Sequence, residues 1–441
     1  MLWRKVRSIA IDLLRVNARY ILDGGQRNRM REVLKRDGMT SEQRQIAGLE
    51  LAAAPVAARA YAGLSSTSLT LAGIRVSANA APRLNLLIGE VREGGVFAGV
   101  HTALTVAREL ADRLGLPLRV VMLDFTSLDN DTVTAERFIR SMLKIDDVRV
   151  VTRESLRDEH FGAGDVWLAT HSKTAHAAQV ASNIGLIDRA RVAYLIQDYE
   201  PGFSPWSTQS VIATSTYRAG FVPIVNSIPL WRFLTEQEGL AIDRSLVFAP
   251  SFELERLTAT AEARTSAETV KVLFYARPSK HRNLYDLGIS ALRATVLALG
   301  ADAPQVSFFS AGESHDEIDL GGGHTLTSLG RLGWQEYFAF LSTTQVLLSL
   351  QQSPHPSHPP FDAAISGAYA VTNDFSGTRA GLHPRIAAVT ADPESLAGAI
   401  ATAIAASAGA APGGYLPVED GTLGGELGVA LDAAVQRLQR T

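Results

Sequence analysis

From residue 84 to residue 389, short apolar runs alternate with amphipathic stretches, the pattern of strands and helices taking turns in an open α/β sheet. Leu84–Glu90 is apolar at most positions without regular alternation, which suits a parallel strand covered on both faces. The runs Leu118–Phe125, Val148–Val151, Asp165–Ala169, Ala193–Gln197 and Val211–Ala213 predict further strands, and the spacing over His101–Gly115 predicts a helix. The series then restarts. Thr269–Ala276, Val306–Phe309, Val346–Leu350, Val371–Asn373 and Ile386–Val389 predict strands, and Asn283–Leu299, Trp334–Leu341 and Asp362–Gly367 predict helices. The polar segment Glu253–Glu268 is the natural boundary between the two series. The expected organisation is a helical extension over 1–82, Rossmann-like domains over 83–252 and 253–410, and a linker with a last helix over 411–441. Ligands of such sheets bind beyond the carboxyl ends of the strands, so two such domains are expected to face one another across a cleft.

Composition narrows the classes. The chain has 441 residues, 46% apolar and 20% charged, with a net charge of −3, which gives no reason to expect nucleic acid as a partner. There is no cysteine, so disulfides and thiolate metal sites are excluded, and a cytoplasmic setting fits. The average charge hides an asymmetry: residues 1–36 hold ten Lys/Arg against three acids, a local charge of +7. Leu2, Val6, Ile9, Leu13, Val16 and Tyr20 form one stripe at helical spacing there, with Trp3 beside it. This segment is expected either to lie in a membrane interface or to pack on protein. Asp12, Arg15 and Arg19 interrupt any apolar core of a cleavable signal.

Candidate chemistry gathers at predicted strand ends. Gly94-Gly95, between a strand and a helix, allow close backbone approach by an anionic ligand, or simply make a tight turn. Arg277, Lys280 and Arg282 follow the first strand of the second series, and Arg277 can grip two phosphate oxygens at once; the plain alternative is a solvated basic loop. Arg331 is a second candidate cation. Asp362, read as lying in the first turn of a helix after the proline-rich loop Ser353–Pro360, can accept two sugar hydroxyls while free N–H groups face a phosphate. Asp198 and Glu200 end a strand of the first series, where a carboxylate can orient or deprotonate an attacking hydroxyl, or merely cap a loop. His171 and His176, five apart, do not have metal spacing, and no metal is expected.

Four motifs in order, Gln197-Asp198-Tyr199-Glu200-Pro201, Phe274-Tyr275-Ala276-Arg277-Pro278, Gly330-Arg331-Leu332 and Ser353–Pro360, resemble the GT-B glycosyltransferases of retaining family four. Within it they resemble the rhamnan-synthesising branch, typified by bacterial dTDP-rhamnose rhamnosyltransferases; the likeness covers roughly residues 84–405. The resemblance implies a GT-B fold and metal-independent, retaining transfer of rhamnose from dTDP-rhamnose to a glycan or lipid-linked glycan of the cell surface. The work would be done at the inner face of the membrane. It places Tyr275 by the base, Arg277 and Arg331 on the diphosphate, and Asp362 on the ribose, with Gly94, Gly95 and His355 also near the donor. Catalysis would rest on Asp198, Glu200 and Arg277.

Two departures qualify this. The usual family motif is Glu, seven residues, then Glu, but the position eight before Asp362 is Pro354, and the second acid is an aspartate. The role of the first glutamate is therefore not carried over to any residue. A nucleotide-sugar epimerase, or a non-catalytic scaffold that binds glycan, are the rival readings.

Overall fold

Two seven-stranded sheets organise the chain, and in each the strand order reverses at one point. The computed structural model describes residues 40–92, 98–125, 132–266, 268–299 and 305–440. The basic segment 1–36 and the pair Gly94-Gly95 lie outside the described residues.

The first unit comprises the described residues up to Val225, Leu240–Val247 and those from Glu426 onward. Its strands are β1 (Arg75–Ser77), β2 (Leu84–Ile88), β3 (Leu118–Met122), β4 (Val148–Thr152), β5 (His160–Gly162), β6 (Val166–Ala169), β7 (Val192–Ile196), β8 (Val222–Asn226) and β9 (Val247–Phe248). The main sheet runs β4-β3-β2-β6-β7-β8-β9, and β1 pairs with β5 apart from it. The pairings from β4 to β8 are parallel. Order therefore reverses between β2 and β6, the switch point of a Rossmann sheet. Strands β2, β3 and β7 are buried at every position, as expected of strands with helices on both faces.

The second unit comprises Asn226–Gly239 and Phe248–Gly425. Its strands are β10 (Val270–Ala276), β11 (Val306–Gly312), β12 (Ile318–Gly321), β13 (His324–Ser328), β14 (Val346–Leu348), β15 (Tyr369–Asn373) and β16 (Ile386–Val389), in the order β12-β13-β11-β10-β14-β15-β16. All pairings are parallel except that of edge strand β12. The reversal falls between β10 and β14. The fold class is thus the expected α/β one, two doubly wound and mostly parallel sheets.

Several local expectations are corrected. Val211–Ala213 is not a strand; it lies within the helix Thr208–Thr216, which Ser207 starts by accepting the Ser210 N–H. The strand is β8, whose signal Pro223 breaks. Segment 253–268, read as the boundary, lies just inside the second unit. Its helix Leu254–Glu262 buries Leu257 in the second core, and Arg264 donates to the carbonyls of Leu341, Thr344 and Ser366. The described part of the helical lead-in is joined to the first unit. Glu50, on the helix Ser41–Ala53, takes two hydrogen bonds from Arg153, at 2.8 and 2.7 Å. The last helix, Leu427–Gln439, also belongs to the first unit, where Arg113 pairs with Asp432 at 2.9 Å. No helix among the described residues is long and apolar enough to cross a membrane.

Candidate active site

In the second unit, the two segments flanking the switch point are the two that carry most of the candidate residues. Tyr275, next to last in β10, leads to Arg277, and the proline-rich loop follows β14. The loops are tied together: the Gln352 N–H donates to the Arg282 carbonyl at 2.6 Å, and the Asn283 side-chain amide to the Leu350 carbonyl at 3.3 Å. Neighbouring strand ends complete the rim. Gly312 ends β11 at φ +134, where an added Cβ would lie 2.4 Å from the Ala276 carbonyl oxygen; only glycine lets the two strand ends approach this closely. Its N–H donates to the Gly330 carbonyl, so Arg331, exposed just after β13, is brought to the same side as Arg277.

Arg277 is partly exposed and lies 3.7 Å from the Glu313 carboxylate. That carboxylate accepts the backbone N–H and the hydroxyl of Ser279, at 2.9 and 2.7 Å, and these bonds hold its pKa below the usual range. A cation so fixed at a strand end is suited to an anionic ligand.

Asp362 departs from expectation in one respect. The helix runs His358–Ile365 with Ser357 at its N-cap, so Asp362 is its fifth residue rather than part of its first turn. Pro359 and Pro360 do not block the helix but start it, because the first N–H groups of a helix have no intrahelical partner to lose. They also remove two of the N–H groups that the expected anion site at this terminus would use. Asp362 is half-buried, and its Oδ2 accepts the Tyr337 hydroxyl at 3.2 Å. Burial pushes its carboxyl up to about 7; the Tyr337 bond pulls it down and Glu253 adds to the rise. The Tyr337 hydroxyl is in turn raised well above the ordinary tyrosine range by burial, then by Asp362 and Tyr275. Tyr275, Tyr337 and Asp362 thus form one cluster.

His355 occupies the loop but presents no charge. Burial, with His358, Arg379 and Arg282 nearby, pushes it down to about 3, and its Nε2 is buried without a hydrogen-bond partner. The loop is shaped by Arg379, whose guanidinium donates to the carbonyls of Gln351, Ser353 and Asn373.

In the first unit, Asp198 and Glu200 follow β7 but differ in surroundings. Asp198 is half-buried and its Oδ1 accepts the Tyr199 N–H at 2.8 Å. Glu200 is buried. Its Oε2 accepts the Ser172 N–H at 2.6 Å, at the start of the helix Ser172–Asn183, and lies 3.2 Å from His171 Nδ1. Tyr217 bridges the pair, donating to the Asp198 carbonyl and accepting the Glu200 N–H, both at 3.1 Å. His171 follows β6 at the switch point of this sheet, a placement that its sequence neighbours do not reveal. Glu313, Tyr337 and Arg379 also escape a reading by motif. Glu313 had one usable signal, a glycine–acid pair directly after an apolar run.

Comparison with known proteins agrees with this division. Residues 83–228 match the family described as WsaF, N-terminal domain, and residues 270–401 match WsaF, C-terminal domain. The two matches follow one another along the chain in that order. The first takes in β2 to β8 and the second β10 to β16, and the WsaF C-terminal match contains Tyr275, Arg277, Arg331, His355 and Asp362. The chain is also 29% identical over 281 residues to the O-antigen biosynthesis protein RfbC of Myxococcus xanthus. That match takes in 64% of this chain but only 21% of RfbC. Among solved structures, Anabaena HepE in complex with UDP is 15% identical, with a TM-score of 0.49 over 81% of this chain and 95% of that one. WaaG, a glycosyltransferase involved in lipopolysaccharide biosynthesis, is 12% identical, with a TM-score of 0.43 over 73% and 90%.

Proposed function

We propose that this chain is a glycosyltransferase of surface-polysaccharide synthesis that moves a sugar, rhamnose from dTDP-rhamnose, onto a growing glycan. The reading is supported by the pairing of WsaF domains and by the O-antigen relative. The observation that carries it is the second sheet's switch point, where a cation set by a carboxylate follows β10 and a half-buried acid, bonded by Tyr337, follows the loop tied to it.

In this mechanism Arg277, with Arg331 beside it, neutralises the diphosphate as the sugar–oxygen bond breaks, which is where most of the negative charge develops. Glu313 keeps the Arg277 guanidinium in place. Asp362 receives the 3′-hydroxyl of the deoxyribose through the oxygen atom that Tyr337 does not occupy, and Tyr275 lies by the base. Asp198 orients the acceptor hydroxyl, while Glu200, engaged at the start of a helix, is a positioning residue. Transfer is retaining and needs no metal ion, and the diphosphate itself assists deprotonation. Residues 1–36 hold the protein at the inner face of the membrane, near a lipid-linked acceptor.

Calorimetric titration with dTDP tests the donor half. The wild type binds, and Asp362→Ala weakens binding roughly 10–100-fold, the worth of a hydrogen bond to a charged group. Equal affinity in the two proteins would remove Asp362 from the site.

A further inference from the structure

The loop after β7 displays its tryptophan to water. Trp206 is fully exposed and Phe203 is 41% exposed, within seven residues of Glu200. An exposed indole offers a flat apolar face and an N–H donor to a ligand, and Phe203 extends that face when their setting is fixed. Here the setting is fixed. Glu200 is anchored to the Ser172 N–H and Tyr217 bridges Asp198 and Glu200. The Ser210 hydroxyl donates to the Pro201 carbonyl at 2.9 Å, and Ser207 caps the following helix. Pro201 and Pro205 fix two further backbone angles. Phe203 also lies with its ring centroid 6.4 Å from that of His171. The indole therefore stands on the same pinned loop as the residues that the proposed function gives to the acceptor.

Charge separates the possible occupants. Residues 192–217 carry Asp198 and Glu200 and no Lys or Arg. An anionic membrane surface recruits tryptophan together with cations, and this loop has none. A neutral sugar suits it: the C–H face of a pyranose ring lies on the indole, and no cation of the loop draws an anion there. We infer that Trp206, with Phe203, is a platform for a sugar ring of the acceptor glycan beyond the residue that receives the new sugar. This rests on the transferase reading, and it adds a preference for acceptors longer than a monosaccharide.

A binding test keeps the two apart, because it needs neither donor nor turnover. Soluble tetrasaccharides of rhamnose, mannose, glucose and galactose are titrated into the full-length wild type and into Trp206→Ala, Trp206→Phe and, as a control, Leu297→Ala. Leu297 is an exposed apolar residue of the second unit. At least one tetrasaccharide binds the wild type and Leu297→Ala alike, Trp206→Ala binds it about tenfold more weakly, and Trp206→Phe recovers part of the loss. In transfer assays the ratio of kcat/KM for tetrasaccharide over methyl glycoside falls by the same factor in Trp206→Ala. Equal tetrasaccharide affinity in wild type and Trp206→Ala overturns the platform and leaves the transferase reading intact. Absence of binding to all four sugars overturns it too, as does flotation on phosphatidylglycerol vesicles, or dimerisation in sedimentation, that is lost in Trp206→Ala. Failure of the wild type to transfer sugar to any acceptor counts against the transferase reading instead.

Discussion

The Tyr337 hydroxyl donates to Oδ2 of Asp362 at 3.2 Å, and this bond opposes the burial that pushes the carboxyl up to about 7. The ordinary value is 3.8, so the folded protein holds this proton more tightly than the unfolded chain. That stabilising contribution is complete at low pH and is lost as pH rises from about 4 through about 7. Asp362→Asn removes the titration. Its stability relative to wild type should therefore rise by on the order of 2 kcal/mol between pH 5 and pH 8. Thermal melts of both proteins at the two pH values measure it; a parallel pH dependence would show that Asp362 is not the titrating group.

The same group links donor binding to protons. The deoxyribose 3′-hydroxyl donates best to the ionised carboxylate, so dTDP should bind more tightly as pH rises through about 7, with proton release on binding. Calorimetry in two buffers of different ionisation enthalpy reads that release directly. Tyr337→Phe deletes a bond that favours the charged form, so the midpoint should move to higher pH.

Arg277→Ala should lower kcat/KM for transfer by about 2–4 kcal/mol in transition-state terms while leaving the melting temperature near wild type, because the side chain is partly exposed. Glu313→Gln, which loosens Arg277 without removing its charge, should cost less. Steady-state kinetics on purified variants gives both figures.

Asp198 and Glu200 should separate by readout. Glu200→Ala leaves the Ser172 N–H unsatisfied in a buried setting and should cost about 1–3 kcal/mol of stability. Asp198→Asn should leave stability nearly unchanged and lower kcat. Urea unfolding beside kinetics distinguishes them, and the reverse outcome would exchange their roles.

Arg379→Met should be the most damaging of these changes to the fold. It strips the donors from the Gln351, Ser353 and Asn373 carbonyls, at a cost of about 3–5 kcal/mol. The proline loop would lose its shape with it, so dTDP affinity should fall together with the melting temperature.

The sheets were legible in the sequence because buried parallel strands such as Leu84–Ile88 and Val270–Ala276 are nearly continuous apolar runs. Their order was not, since nothing local in Val346–Leu348 says that it pairs with Val270–Ala276 across a reversal. Strand Val222–Asn226 was hidden by Pro223, and Val211–Ala213 is too short for its period to separate strand from helix. Of the candidate residues, Arg277 and Asp362 were proposed from their motifs. Their partners Glu313 and Tyr337 could not be, because each lies dozens of residues away and meets its partner only through the sheet. Glu200 read as equivalent to Asp198, since adjacency in sequence does not disclose that one carboxylate starts a helix 28 residues upstream.

The most direct test of the central claim is release of dTDP from dTDP-rhamnose by the full-length protein, with and without a soluble oligosaccharide acceptor, followed by mass spectrometry of the acceptor. The account predicts acceptor-dependent release, one added deoxyhexose per dTDP formed, and loss of both in Arg277→Ala. Release of no nucleoside diphosphate from dTDP-rhamnose or from any other nucleotide sugar in a panel, under conditions where the protein is folded, would contradict it.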